Sequence, residues 1–151
     1  VVAAPSNGWT QSAFFGAARH PAGVVVTGYG CDDVCANYRI ETSLYTTAGE
    51  RIWHQPESSH QGLTYGNDVA LDGQGRALVA GAVTQDGKLR GYVFARRVNQ
   101  VGGALLLQSW FPGSGVAEGL GIVTDSFDRI FPAGYVTTDG ATQARVAKIH
   151  G

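Results

Sequence analysis

Two aspartates at a common spacing are the first residues in this chain that could do chemistry. Asp72 and Asp125 lie 53 positions apart, and each opens a polar segment, DGQGR or DSFDR. Paired carboxylates can bind a metal ion or divide the roles of general acid and base. Neither segment has the carboxylate number and terminal glutamate of a calcium-binding EF-hand loop. An aspartate that opens a tight turn accepts hydrogen bonds from N–H groups two residues on, so we expect both aspartates to stabilise turns.

The histidines and serines offer no catalytic arrangement. No two histidines have a spacing that would place them on one helical face; they stand at His20, His54, His60 and His150. The segment Gly113-Ser114-Gly115 lacks the Gly-x-Ser-x-Gly frame of a hydrolase nucleophile. The glycine-rich stretches match neither a phosphate-binding loop nor a dinucleotide fingerprint. We therefore expect no catalytic residue, no metal ion and no cofactor.

Cys31 and Cys35 enclose three residues in a polar loop, and their C-x3-C spacing departs from the C-x2-C spacing of zinc and redox motifs. We expect a disulfide that stabilises this loop rather than the whole fold, because the benefit of a crosslink grows with the length of the ring it closes. Free thiols, or a metal or redox role, are the alternatives. A disulfide favours an oxidising compartment, so we expect a secreted, periplasmic or cell-surface protein.

The charge balance excludes some classes of partner. The 151 residues carry 11 basic and 12 acidic side chains, so no broad basic surface is available for nucleic acid or an anionic membrane. The densest basic group, Arg90, Arg96 and Arg97, is expected to lie in solvent on a strand. No apolar run reaches the ~18 residues that span a bilayer. Charged residues make up 15% of the chain and 22 residues are glycine, which is typical of short strands joined by tight turns.

An internal repeat of 53 residues indicates which elements must position these side chains. Three apolar segments end at this spacing: VVVTG at Gly28, ALVAG at Gly81 and IFPAG at Gly134. The segment NDVALDGQGRALVAG (67–81) aligns without gaps to LGIVTDSFDRIFPAG (120–134), which superimposes the two aspartate segments. The first copy, FFGAARHPAGVVVTG (14–28), has the same hydrophobic rhythm but places Arg19 at the aspartate position. A repeat of this length indicates a recurring supersecondary unit.

Each copy is predicted to contain four short antiparallel strands. In the second copy these are 68–71, 76–81, 91–98 and 104–111, separated by the turn 72–75, the polar loop 84–88 and the turn 101–103. Runs of four to eight residues bounded by Gly, Asp and Asn are typical of antiparallel hairpins. No segment shows a sustained helical period with capping residues, so we expect essentially no helix. Residues 24–27, 77–80 and 130–133 are expected to be among the most buried.

A four-stranded antiparallel unit repeated at about 40 to 50 residues is typical of a β-propeller blade. The predicted fold is all-β, with three four-stranded antiparallel blades of a propeller that is partial or completed by oligomerisation. One domain spans 1–151, with repeats at about 12–65, 66–118 and 119–151. We expect the last blade to be incomplete and residues 1–5 to supply a blade-completing strand.

The repeat resembles the bacterial β-propeller repeats of the SBBP and delta-60 type. Those repeats have an apolar strand ending in Asp, a strand ending in Ala-Gly, and an Asp/Asn-x-Gly turn into a Trp-containing strand. The matching segments are VALDGQGRALVAG, IVTDSFDRIFPAG, YRIETSLYTTAGERIW and YVFARRVNQVGGALLLQSW, and the resemblance covers residues 12–151. It implies a propeller fold and does not by itself imply an activity.

Binding sites of propellers usually lie in the loops between second and third strands and in the connections between blades. Here these loops are 29–37, 82–89 and 136–142, with connections at 57–66 and 112–119. The polar and aromatic binding candidates in them are Tyr29, Asp33, His60, Asp86 and Asp139. For each residue, an ordinary solvated loop position is the alternative.

These observations favour a non-catalytic function. We expect an exported β-propeller module that acts as a binding or scaffolding subunit, with a protein partner or further copies covering its open blade edges. A lectin-like propeller that binds glycan through Tyr29 or Trp110 is the alternative, followed by a propeller lyase or hydrolase fragment. The start Val-Val-Ala-Ala-Pro is typical of a chain after signal-peptide removal. Three blades should not close a ring, so we expect the chain not to work alone; a fragment of a longer propeller is the other interpretation.

Overall fold

The computed structural model describes residues 11–57, 60–98, 105–110 and 115–149, with only the backbone described at 60, 61 and 105–110. The first sheet contains β1 (Gln11–His20), β2 (Gly23–Cys31), β3 (Asn37–Tyr45), β4 (Arg51–Pro56) and β5 (His60–Gln61). The second sheet contains β6 (Thr64–Leu71), β7 (Arg76–Gln85), β8 (Lys88–Arg97) and β9 (Leu105–Trp110). The third sheet contains β10 (Val116–Thr124), β11 (Ile130–Thr138) and β12 (Ala141–Val146).

The all-β prediction is confirmed, because every element in the described ranges is a strand and all three sheets are antiparallel meanders. Among these residues there is no helix that could cross a membrane. The prediction of four strands in every sheet is wrong. β3 is longer than β4, and its first residues pair with the extra strand β5, while the third sheet has three strands in its described part. The predicted strand 1–5, the turn 101–103 and His150 lie outside the described residues.

The turns between the second and third strands of each copy are shorter than predicted. The expected polar loop 84–88 is a two-residue turn, Asp86-Gly87, between the paired residues Gln85 and Lys88. Both turn residues have positive φ, 50° and 69°, as in a type I′ hairpin. Asp139-Gly140 repeats this turn 53 positions later, with φ of 52° and 77°. Aspartate and glycine tolerate this backbone conformation, which explains why the pair recurs at this point.

A β-bulge recurs in the first strand of every sheet. The register shifts between Phe14 and Gly16, between Gly66 and Asp68, and between Gly119 and Gly121. The extra residues at these bulges are Phe15, Asn67 and Leu120. A bulge redirects its side chain away from the regular alternation of the strand. The three sheets therefore share a local irregularity as well as a strand order.

The bulges also correct the alignment of the first copy. Arg19 pairs with Val24 as Leu71 pairs with Ala77, so the first turn is one residue shorter and His20 occupies the aspartate position. His20 Nδ1 accepts a hydrogen bond of 3.1 Å from the N–H two residues on, at Ala22. The gapless alignment had placed Arg19 there. A histidine thus performs the turn-stabilising role that the other two copies give to aspartate.

The sheets stack face to face, with the second sheet in the middle. β6 packs across β1, β2 and β3, and β10 packs in the same way across β6, β7 and β8. Successive residues of β7 alternate between the two cores: Ala77 and Val79 face the first sheet, and Leu78 and Ala80 face the third. The middle strand is consequently buried on both faces, as its continuous apolar sequence predicts.

The burial prediction holds for 77–80 and fails in part for the other two copies. Val25 and Thr27 are fully buried, but Val24 is exposed. Ile130 is fully buried, whereas Phe131 and Ala133 are only half-buried. The physical reason is the layer order, since the first and third sheets each have one face that no described sheet covers.

Candidate functional site

A pocket lined by aromatic side chains lies between the first and second sheets. Its volume is about 360 Å³, and its lining residues are Phe15, Tyr29, Tyr38, Leu63, Tyr65 and Asn67, here called the aromatic pocket. The β1 bulge supplies Phe15 and the β6 bulge supplies Asn67, whereas Tyr29 and Tyr38 come from paired strands β2 and β3. The fold therefore gathers residues from four strands and from the connection before β6.

Four rings of the aromatic pocket form an arc in which neighbours touch. The ring centroids of Phe15 and Tyr29 lie 5.7 Å apart, as do those of Tyr29 and Tyr38. Phe15 also meets Tyr65 at 6.4 Å with an interplanar angle of 87°. These distances fall in the range of about 4.5 to 7 Å that favours aromatic pairs. The arc is accessible to solvent, because the Phe15 side chain is 56% exposed.

Glu118 adjoins the aromatic pocket from the third sheet. Its Oε1 accepts hydrogen bonds from Tyr65 Oη at 3.0 Å and Asn67 Nδ2 at 2.9 Å, and its Oε2 accepts one from Tyr135 Oη at 2.8 Å. Burial, followed by the charge of Glu118, raises the pKa of Tyr65 above its usual range. The hydrogen bond to Glu118 does the same to the pKa of Tyr135. Both tyrosines therefore remain neutral donors to the carboxylate at ordinary pH.

The structure places one of the predicted binding residues, Tyr29, in the aromatic pocket. His60 lies in β5 opposite Tyr38, a pocket residue, and its side chain lies outside the described part of the chain. Asp33, Asp86 and Asp139 are exposed and do not line the pocket.

Sequence analysis missed most of the pocket residues: Phe15, Tyr38, Leu63, Tyr65 and Asn67. A gapped alignment of the first copy would have matched Phe15 to Asn67 and Leu120, which all occupy the bulge. That match was available in the residues, but the approach of the two sheets was not.

The disulfide between Cys31 and Cys35 is formed, as predicted. Asp32, rather than the candidate Asp33, organises its loop. The Asp32 carboxylate accepts hydrogen bonds from Ala36 N at 2.8 Å and from Asn37 Nδ2 at 2.7 Å. The bond from Asn37 lowers the pKa of Asp32 below its usual value.

The recurring aspartates stabilise turns, as expected. Asp72 Oδ1 accepts hydrogen bonds from Gln74 N at 3.0 Å and Arg76 N at 2.9 Å, and its Oδ2 pairs with the Arg76 guanidinium. Asp125 makes the same contacts with Phe127 N and with Arg129. The arginine four residues on is thus the second half of the device. In the described residues no group of three histidine, cysteine or acidic side chains is placed to hold a metal ion.

The basic residues of β8 differ from expectation. Arg96 is nearly buried and forms two hydrogen bonds with the Glu57 carboxylate, at 3.0 and 2.6 Å, instead of lying in solvent. Arg90 donates to Gly115 O at 3.1 Å, while Arg97 is exposed. These contacts join the second sheet to the segments that enter and leave it.

A serine, a histidine and a glutamate meet on the outer side of the first sheet. Glu41 is nearly buried and pairs with Arg39 and with His54 Nε2. Ser43 lies directly opposite His54, but its Oγ is buried and makes no hydrogen bond. A nucleophile must reach the substrate and pass its proton to the base. Ser43 meets neither condition, so this cluster is a buried ion-pair group.

Two outer sheet faces form a second region of interest. On the third sheet, alternation directs apolar side chains away from the second sheet; we call this the third-sheet face, and it comprises Val123, Phe131, Ala133, Tyr135, Ala144 and Val146. On the first sheet, a hollow of about 560 Å³ is lined by residues of β1, β2 and the β3–β4 turn, among them Phe14, Val24 and Val26. We call this the first-sheet hollow.

No protein-family model matches this chain, and a comparison with curated proteins finds no match. The functional argument therefore depends on the arrangement of its own residues.

Proposed function

We propose that this chain is an exported, non-catalytic β-propeller module that builds an assembly with a second copy of itself. The observation that carries the proposal is the third-sheet face, whose counterparts in the other two sheets are fully buried. Val25 and Leu78 occupy the position of Phe131, and both have no exposed surface. Each lies beneath the next sheet along the chain.

The interpretation of the sheets as blades rests on how each one follows the last. The first strand of each sheet packs on the first three strands of the sheet before it, and it carries the same bulge each time. A Cβ atom on Gly16 would lie 2.5 Å from Asp68 Cα, so the first strands approach closely. Gly121 occupies the corresponding place in the third sheet. Close innermost strands with repeated packing are what a propeller ring requires.

The first-sheet hollow is a suitable partner for the third-sheet face. Val24 and Val26 line the hollow, and their counterparts in the second sheet are Ala77 and Val79, which the first sheet covers completely. One end of the stack therefore offers apolar projections and the other offers an apolar recess. Contacts between unlike surfaces close into rings when the rotation permits. Two chains joined twice in this way would give a ring of six sheets.

The disulfide supports the exported location, because such bonds persist in oxidising compartments. The buried state of Ser43 and the turn-stabilising role of the recurring aspartates support a binding function over a catalytic one. The resemblance to bacterial propeller repeats agrees with both proposals.

Substitution of one exposed valine tests the assembly. Val146→Lys places a charge in the third-sheet face, so desolvation of the ammonium should weaken association at least about tenfold. Val34→Lys is the matched control, because Val34 is 76% exposed against 73% for Val146 and lies in the disulfide loop. We expect sedimentation equilibrium to show a dimer for the unsubstituted chain and for Val34→Lys, and a monomer for Val146→Lys. A monomeric unsubstituted chain at millimolar concentration, or equal loss in both variants, would overturn the proposal.

A further inference from the structure

We infer that the aromatic pocket binds an organic cation, namely a quaternary or fully methylated ammonium group. This inference is independent of the assembly proposed above, since the pocket lies between the first two sheets and the assembly uses the outer faces. It assigns a ligand class to a site that contains one sequence-predicted binding residue, Tyr29.

The shape of the pocket suits a compact apolar cation. Tyr38, Tyr29, Phe15 and Tyr65 follow one another as an arc of rings around a volume of about 360 Å³. The face of an aromatic ring carries negative potential, so several rings directed at one space attract a cation without hydrogen bonding to it. The other lining residues, Leu63 and Asn67, are uncharged. No lining residue would therefore repel a positive ligand.

Glu118 gives the site a negative charge. Within the described residues its hydrogen-bond partners are neutral: Tyr65, Asn67 and Tyr135. Two of them line the pocket, so the carboxylate stands directly behind the pocket wall. Donation from Tyr65 Oη to a carboxylate also increases the electron density of the Tyr65 ring. Charge and ring potential thus favour the same kind of ligand.

The polar groups of the pocket argue against a sugar. Asn67 Nδ2 donates to Glu118 and, at 2.8 Å, to Gly119 O, while the Tyr65 hydroxyl donates to Glu118. These groups are therefore engaged, whereas a sugar needs partners for several hydroxyls. A primary ammonium has three N–H donors to satisfy, but a methylated ammonium has none. Methylation should consequently increase affinity at this site.

Titration with choline chloride tests the inference. We expect saturable binding by calorimetry or by shifts of aromatic NMR signals, at least fivefold tighter than binding of the neutral isostere in which carbon replaces nitrogen. Phe15→Leu should weaken choline binding at least fivefold. Phe127→Leu is the matched control, because Phe127 is 77% exposed and lies in the turn before β11, outside the pocket. Tyr29→Phe should retain binding, since it keeps the ring.

Further arms separate the competing outcomes. Glu118→Gln should reduce affinity for choline without reducing affinity for the neutral isostere. Val146→Lys should bind choline like the unsubstituted chain, which separates this inference from the assembly. Equal affinity for the isostere, equal loss in Phe127→Leu, or no saturable binding up to about 50 mM choline would overturn it. Binding of a neutral oligosaccharide that depends on Phe15, without choline binding, would instead establish the lectin alternative.

Discussion

The second and third sheets carry the same repeat, yet their corresponding residues differ in environment. Leu78 is fully buried beneath the third sheet, while its counterpart Phe131 is half-buried on the third-sheet face. The side chain of Asp72 is 0% exposed, while that of Asp125 is 25% exposed. Local contacts are the same in both copies, as the two aspartate–arginine turns show. The comparison shows that the repeat determines local geometry and the neighbouring sheet determines burial.

The largest expected difference concerns the aspartate turns. Asp72→Ala removes the partner of a buried arginine and the acceptor of two N–H groups, which should cost about 3 kcal/mol. Asp125→Ala makes the same change in a more exposed turn, where water replaces the lost contacts, so its cost should be less than half as large. Urea unfolding of both variants measures the difference. Equal losses would mean that burial does not separate the two copies.

The apolar counterparts should differ by a smaller amount. Leu78→Ala leaves a cavity between two sheets and should lower the free energy of unfolding by about 3 kcal/mol. Phe131→Ala removes a larger side chain but one that still contacts water, and we expect about half that loss. Both should be measured in the Val146→Lys background, so that association does not contribute. A larger loss for Phe131→Ala would contradict the layer order as the cause.

The smallest effect is the pH dependence of the third-sheet turn. The hydrogen bond from Arg129 lowers the pKa of Asp125 below its model value of 3.8. A carboxyl whose pKa is lower in the folded chain contributes stability that is complete above its unfolded pKa and is lost as pH falls through its folded pKa. We therefore expect Tm to decline below about pH 4 more in the unsubstituted chain than in Asp125→Asn. Identical declines would show that the ion pair does not affect stability.

Residue patterns determined the local structure of this protein. The 53-residue repeat, the absence of helix periodicity and the Asp-Gly pairs are encoded in neighbouring residues, because turns and strands depend on backbone preferences over a few positions. The Asp72 turn and the Cys31–Cys35 bond were predictable for the same reason. The Asp86 turn was equally readable, and treating it as a long loop was an error of interpretation rather than a lack of signal.

The tertiary structure decided which of these local units face each other and what they enclose. Nothing near Phe15 in the sequence indicates that a bulge directs it towards Tyr65, which lies on another sheet. Glu118 meets Tyr65 for the same reason, across 53 positions of the chain. Burial behaves alike: Leu78 and Phe131 have similar neighbours in sequence and different neighbours in space. Packing between sheets depends on long-range approach, and no short pattern of residues specifies that approach.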